Sequence, residues 1–202
     1  MSTFNWGIVG TGNIACSMAA ALPHVPGARR LAVGSRAMEP ARAFAGDWGF
    51  ERAYNSYDAL MQDADIDIIY IATPNAMHKD TILAALAAGK HVLCEKPMTL
   101  SAEDSATCFD VAEENGLVLM EALWSAFIPA MQRARELVRS GAIGTPRHLI
   151  ANFVSLRDPA QHPILFDPAL GGGARNDLGI YPLAAALLLA RQEQRSRQRV
   201  DA

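Results

Sequence analysis

From Trp6 to Glu121 the chain alternates short apolar runs with longer amphipathic ones. The apolar runs at residues 6–9, 30–35, 66–72, 91–94 and 118–120 are rich in β-formers and lack strict alternation, the pattern of strands buried on both faces. The stretches between them, 14–22, 40–48, 56–63, 77–88 and 102–115, carry helical periodicity. Ser101 followed by Glu103 and Asp104 supplies a helix cap with acids in the first turn, and Gly89 and Gly116 stand where helices end. Strand alternating with helix predicts a parallel sheet covered by helices. The expected class is α/β, a Rossmann-type doubly wound sheet over residues 1–121.

After Glu121 the pattern changes. A helix is expected over 128–139, stopping at Gly141, and a β-rich strand over 147–155. A loop follows with Pro159, Pro163, Pro168 and the three glycines Gly171, Gly172 and Gly173, then a second helix starting near Tyr181. From Arg191 the sequence turns abruptly polar and low in complexity, so 191–202 reads as a disordered tail. A second domain over 122–190 therefore starts and does not finish.

Half of the residues are hydrophobic and 19% are charged, which fits a soluble globular protein. A net charge of -3 gives no electrostatic reason to expect nucleic acid or an acidic membrane as partner. Cys16, Cys94 and Cys108 are odd in number and scattered, which favours ordinary thiols in a reducing compartment. No His/Cys cluster has metal-ligand spacing, so no metal is expected. The amino terminus lacks a secretory pattern, and the apolar stretch 182–190 is too short to span a bilayer. The cytoplasm is the expected location.

The first strand runs into Gly10-Thr11-Gly12-Asn13-Ile14-Ala15, a Gly-x-Gly-x-x-Ala between strand and helix. Gly10 permits the tight turn, Gly12 lets backbone approach a pyrophosphate, and small Ala15 lets the helix pack against the strand. The helix opening at Asn13 and Ile14 points unpaired amides and its positive dipole end at the phosphates. At the tip of the second strand stand Ser35 and Arg36, where an NAD enzyme usually has an acid for the ribose hydroxyls. A guanidinium there suits the 2′-phosphate of NADP. The expected cofactor is NADP, with NAD as the alternative. The bland alternative, less favoured because an acid is absent from the strand tip, is that Arg36 is a solvated charge at a helix start.

Glu95-Lys96-Pro97 follows the strand at 91–94 directly, at the carboxyl edge where open α/β sheets bind ligands. A lysine there can donate to a substrate oxygen while hydride moves; standing alone, it would read as a surface lysine. Downstream, Asp177 and Tyr181 are four apart and share a face if a helix includes both. A tyrosine can act as acid–base where a nearby cation lowers its pKa, although packing is its commoner role.

The stretches GIVGTGNIA, ATPNAMH, EKPMTL, MEALW and GGGARNDLGIYPL together resemble the glucose–fructose oxidoreductase/inositol dehydrogenase family. MEALWSAFIPA is similar to its dimeric dihydrodiol dehydrogenase and NADP-dependent xylose dehydrogenase branch. The resemblance runs from Asn5 to about Ala190. It implies a hydride transfer between NADP and a CH–OH group of a small sugar or trans-dihydrodiol. Lys96 and Tyr181 would be the catalytic pair, Tyr181 as acid–base and Lys96 holding the reacting oxygen, with Asp177 orienting them or the substrate. Thr73, Pro74, Asn75 and His78 would lie along the nicotinamide side of the cofactor, with Glu95 beside it. His78 is more suited to fixing its loop than to serving as base, and the Lys96–Pro97 bond would be cis.

Two departures accompany the resemblance. Ala126 stands where the branch carries arginine before Phe127-x-Pro129. Relatives continue past Ala190 into a broad antiparallel sheet, so 122–190 would be a truncated, incomplete α+β substrate and oligomerisation domain. A homodimer would be weakened by the missing sheet. The alternative reading is a cofactor-binding remnant or sensor without turnover.

Overall fold

The apolar runs pair as one parallel sheet in the computed structural model, which describes residues 2–190. Its strands are β1 (Phe4–Val9), β2 (Ala28–Gly34), β3 (Arg52–Tyr54), β4 (Ile68–Ile71), β5 (His91–Cys94) and β6 (Leu119–Glu121). They lie in the order β3-β2-β1-β4-β5-β6, every neighbouring pair parallel. This is the doubly wound dinucleotide-fold order, with its switch point between β1 and β4. The connecting helices are α1 (Asn13–Ala21), α2 (Met38–Trp48), α3 (Tyr57–Met61), α4 (His78–Ala87) and α5 (Ala102–Glu114). Among the described residues, those up to Ala122 together with Ala169–Gly171 form one compact unit, and Leu123–Pro168 with the residues from Gly172 onward form a second.

Strand alternation divides the core of the first unit in two. Ile69, Ile71, Val92 and Cys94 pack on one face against Leu60, Ile82, Leu86 and Cys108 from α3, α4 and α5. Ile8, Val33 and Tyr70 pack on the other against Ala15, Ala19 and Phe44 from α1 and α2. Each fully buried aliphatic side chain contributes roughly 1.5–3 kcal/mol. Ser56 and Ser101 cap α3 and α5, their hydroxyls accepting from the amides of Ala59 and Asp104.

β3 is not foreseen by the hydrophobic pattern. It is three residues long, pairs only with β2 and is half-buried. Charge holds this edge. Arg52 and Tyr54, two apart on one strand face, both reach Asp63: the guanidinium at 2.7 and 2.8 Å, the phenol at 2.8 Å. Arg52 also donates to Asp65 at 2.6 Å. Lys90, buried, donates to the carbonyls of Asp63 and Ile66, each at 2.8 Å, and so ties the turn before β4 to the turn before β5.

The second unit contains α6 (Pro129–Arg139), α7 (Pro163–Phe166) and α8 (Ile180–Ala190). Pro129 and Pro163 each open a helix, where the missing N–H costs nothing. A π-type turn, Arg175–Gly179, runs directly into α8. The strand expected over 147–155 does not form: residues 146–158 carry no regular backbone pairing. β-forming side chains make a strand only where another strand edge accepts their hydrogen bonds, and none does so among the described residues of this unit. Its apolar side chains stay in the open, Val154 at 89% and Leu156 at 98% exposure. The polar tail expected at 191–202 lies outside the described residues. Among those described, no helix is long and apolar enough to cross a membrane.

Two outcomes follow for stability. Burial pushes the Asp63 carboxyl up, but the donors Arg52 and Tyr54 outweigh it and hold it below its ordinary value. A lowered folded pKa stabilises the protein above the ordinary carboxylate value of about 4, and that contribution is lost as pH falls through the lower folded value. Asp63→Asn should lower stability at neutral pH by about 1–2 kcal/mol, the modest end because Arg52 is partly exposed, and should flatten the acid limb of urea midpoints against pH. An unchanged acid limb would count against the network. Gly10 has φ +103°, and a Cβ there would lie 2.6 Å from the Ala72 carbonyl oxygen. Gly10→Ala should destabilise by about 1–3 kcal/mol in the same titration, and a wild-type midpoint would refute the close approach.

Candidate active site

The strand order sets the sequence-derived site residues of the first unit side by side. β2 ends at Gly34 and leads to Ser35 and Arg36; β1 ends at Val9 and leads to the glycine turn. β4 leads to Ala72, Thr73, Pro74 and Asn75, and β5 to Glu95 and Lys96. Backbone hydrogen bonds continue the ladder past the strand ends: Gly10 N–H to Gly34 O at 2.9 Å, Ala72 N–H to Val9 O at 2.9 Å, and Glu95 N–H to Ile71 O at 3.0 Å. These four strand ends are consecutive in the sheet, so about 14 Å of rim separates β2 from β5 at ordinary strand spacing.

The middle of this rim fits a diphosphate. α1 begins after Gly12, whose extended backbone caps it without a side-chain hydrogen bond, so its first amides are open to an anion. A Cβ on Gly12 would meet nothing within 4 Å, so space rather than packing surrounds this glycine. Ile14 is exposed beside it, an apolar surface at the same turn. Ser35 is buried and Arg36 exposed at the β2 tip, with no acid beside them in the sequence. Thr73 is 8% exposed, and its hydroxyl has no hydrogen-bond partner among the described residues. A buried hydroxyl left in this way calls for an explanation in ligand or solvent. The residues present therefore fit a dinucleotide lying across the switch point.

The β4 and β5 loops are fastened to each other. His78 is fully buried, with Nδ1 2.8 Å from the carbonyl oxygen of Pro97 and Nε2 2.9 Å from that of Thr73. The ring is thus held between two carbonyl oxygens, and the nitrogen that carries the proton donates to one of them. Asn75 donates to the carbonyl of Gly171 at 2.9 Å, which brings the Ala169–Gly171 segment onto this loop. Gly171 is required there: its φ is +76°, and a Cβ would lie 2.8 Å from that of Asn75. The Lys96–Pro97 bond is cis. Glu95 accepts from the Tyr70 hydroxyl at 2.5 Å and from the Lys96 amide at 3.2 Å, and Glu121 accepts from the Met98 amide at 2.8 Å. Sequence reasoning gave no site role to Tyr70 or Glu121. The one available signal was a tyrosine among the isoleucines of β4.

Asp177 and Tyr181 belong to the second unit. Asp177 lies in the π-type turn and Tyr181 in the first turn of α8. Such turns are rare and recur at functional sites. The Tyr181 ring packs against Trp124 and Phe153, with centroids 5.7 and 4.9 Å away. The Trp124 indole N–H donates to its oxygen at 3.0 Å. An indole only donates, so this bond uses an acceptor lone pair and leaves the phenol's own proton for another partner. Among the described residues, no group of three or more His, Cys, Asp or Glu is placed to hold a metal ion.

Comparison with known proteins agrees with this geometry. Residues 4–123 match the sequence model of the GFO/IDH/MocA oxidoreductase family with an NAD-binding Rossmann fold, and residues 131–198 match a C-terminal domain of the same family. The chain is 40% identical over 185 residues to D-xylose 1-dehydrogenase (NADP(+)) 2 of Haloferax volcanii, covering 91% of this chain and 56% of that protein. It is 40% identical over 178 residues to trans-1,2-dihydrobenzene-1,2-diol dehydrogenase of Mus musculus, covering 87% of this chain and 53% of that one. A 3-ketoreductase from Actinomadura kijaniata, crystallised with NADP and TDP-benzene, superposes with a TM-score of 0.87 at 34% identity, over 94% of this chain and 58% of its own. The chain thus spans about half the length of the curated relatives it matches. With the sheet order, the glycine turn and a family match over more than half of its residues, the chain belongs to the GFO/IDH/MocA oxidoreductase family.

Proposed function

We propose that this chain binds NADP along the carboxyl rim of its sheet and serves hydride transfer between that cofactor and a CH–OH carbon of a sugar or trans-dihydrodiol. The observation that carries the reading is the consecutive row of Arg36, the Gly10–Gly12 turn, the partnerless Thr73 hydroxyl and Lys96 along one rim. The relatives add weight: one is named for NADP-dependent xylose oxidation, another for a dihydrodiol, and a third was crystallised with NADP. That third protein was also crystallised as a tyrosine-to-phenylalanine variant and as a lysine-to-alanine variant.

In this reading the open amides after Gly12 hold the pyrophosphate, with Gly10, Asn13 and Ile14 shaping the turn. Ser35 and Arg36 take the 2′-phosphate, Arg36 as a bidentate donor. Thr73, Pro74 and Asn75 flank the nicotinamide, and Glu95 lies beside it. When bound, the nicotinamide supplies a two-electron hydride acceptor. Tyr181 takes the hydroxyl proton as the carbinol carbon gives up its hydride, and Lys96 stabilises the negative charge that grows on the oxygen. Asp177, in the turn preceding Tyr181, orients the pair or the substrate. Assembly as a homodimer belongs to the same reading and is supported by the exposed apolar run from Leu149 to Leu156.

The experiment is direct. Purified protein is titrated with NADP and NAD by calorimetry, then assayed with D-xylose, other sugars and trans-dihydrobenzenediol by reduced-nicotinamide absorbance. NADP binding with turnover is expected; absence of binding to either nucleotide would sink the proposal. Arg36→Ala should weaken NADP by roughly 1–3 kcal/mol and leave NAD nearly unchanged, whereas equal weakening would remove the 2′-phosphate assignment. Gly12→Ala should fold with wild-type stability yet lose nucleotide affinity, because its methyl group enters the space assigned to the phosphates. Tyr181→Phe should retain NADP binding and lose at least about 100-fold in kcat. Lys96→Met should also lose turnover.

A further inference from the structure

We propose that Tyr70 is a positioning residue for Lys96: its hydroxyl holds the Glu95 carboxylate, which in turn holds the Lys96 backbone amide. The inference rests on Lys96 being the catalytic lysine of the proposed reaction. Its basis is the chain of two hydrogen bonds, Tyr70 Oη to Glu95 Oε1 at 2.5 Å and Lys96 N–H to Glu95 Oε2 at 3.2 Å.

The sheet register explains why the phenol reaches this point. Tyr70 in β4 is paired with Leu93 in β5. Alternation then places Leu93 and Glu95 on the same sheet face as Tyr70. The Tyr70 ring lies in the apolar layer with Ile8 and Leu93 and is 2% exposed. Its long axis carries the hydroxyl out of that layer to the residue just beyond the end of β5. For packing alone a phenylalanine would serve, since the ring's neighbours are apolar. The hydroxyl is explained by its acceptor, because a buried O–H without one destabilises the fold. Burial, reinforced by the Glu95 charge and its hydrogen bond, pushes the phenol far above its ordinary range, so Tyr70 stays a donor at every working pH. It is not itself an acid–base group.

Each side of the Glu95–Met98 loop has its own tether. From one sheet face, His78 is bonded to the Pro97 carbonyl; at the end of β6, Glu121 accepts from the Met98 amide. Neither fastens residue 96. The Tyr70–Glu95 link acts on the lysine's own amide, and a misplacement of about 1 Å at a reacting group can reduce rate by roughly a hundredfold.

The test uses Tyr70→Phe, Glu95→Ala and the double variant, with three measurements. These are kcat and KM with NADP and D-xylose or trans-dihydrobenzenediol, the melting temperature, and amide hydrogen exchange in peptides covering residues 94–99. Tyr70→Phe should lower kcat about 10- to 100-fold, with KM for NADP and melting temperature held, and speed exchange at 94–99. Glu95→Ala should speed the same exchange, since the side-chain acceptor of the Lys96 N–H is then gone. The double variant should be no slower than the slower single variant, as two links of one chain require. Effects that multiply, a kcat loss that tracks a fall in melting temperature, or unchanged exchange at 94–99 would each overturn the proposal. If the wild-type chain turns over none of these substrates, the proposed reaction fails, and exchange in the variants still decides the positioning link. Should Tyr70→Phe not fold, unchanged exchange in Glu95→Ala overturns it.

Discussion

The candidate site depends on how closely the chain after β1 can approach the chain after β4. Gly10 lies against the Ala72 carbonyl with a positive φ, in a space that admits no side chain. That approach lets the first turn fold over the sheet's edge and sets α1 with its open amides above the switch point. The ladder bonds from Gly10 to Gly34 and from Ala72 to Val9 carry the same register to both sides. Arg36, Thr73 and Lys96 come from distant parts of the sequence, and they share one rim because three parallel registers agree.

A second theme is how the loops on that rim are made rigid. They are fastened to one another by side chains that reach backbone atoms. His78 lies between two carbonyls and donates to one of them, Asn75 holds Gly171, and Glu121 holds Met98. Each of these bonds fixes main chain, so the orientation of neighbouring side chains follows from geometry rather than from packing. Tyr181 is supported differently, by two aromatic faces and an indole donor within its own unit.

Much of this was readable from the residues. β4 and β5 announced themselves because doubly covered strands are continuous apolar runs, and the glycine turn because its spacing has a physical reason at each position. β3 was hidden, since three half-buried residues produce no pattern and its anchors, Asp63 and Asp65, come later in the chain. The stretch 147–155 misled for the opposite reason. Its composition favours a strand, yet β-propensity expresses fit to neighbouring strands, which the described residues of the second unit do not provide. Within the site, a tyrosine inside an isoleucine run reads as core, and only the register shows where its hydroxyl goes. The bond between Trp124 and Tyr181 spans 57 positions and leaves no local trace.

The buried hydroxyl of Thr73, which has no partner among the described residues, bears on energetics as well as on recognition. A buried polar group left without a hydrogen-bond partner costs about 1–3 kcal/mol. A ligand supplying that partner removes the penalty in the act of binding. Occupancy and folding are then thermodynamically coupled, with ligand concentration setting the heat resistance of the whole first unit through mass action.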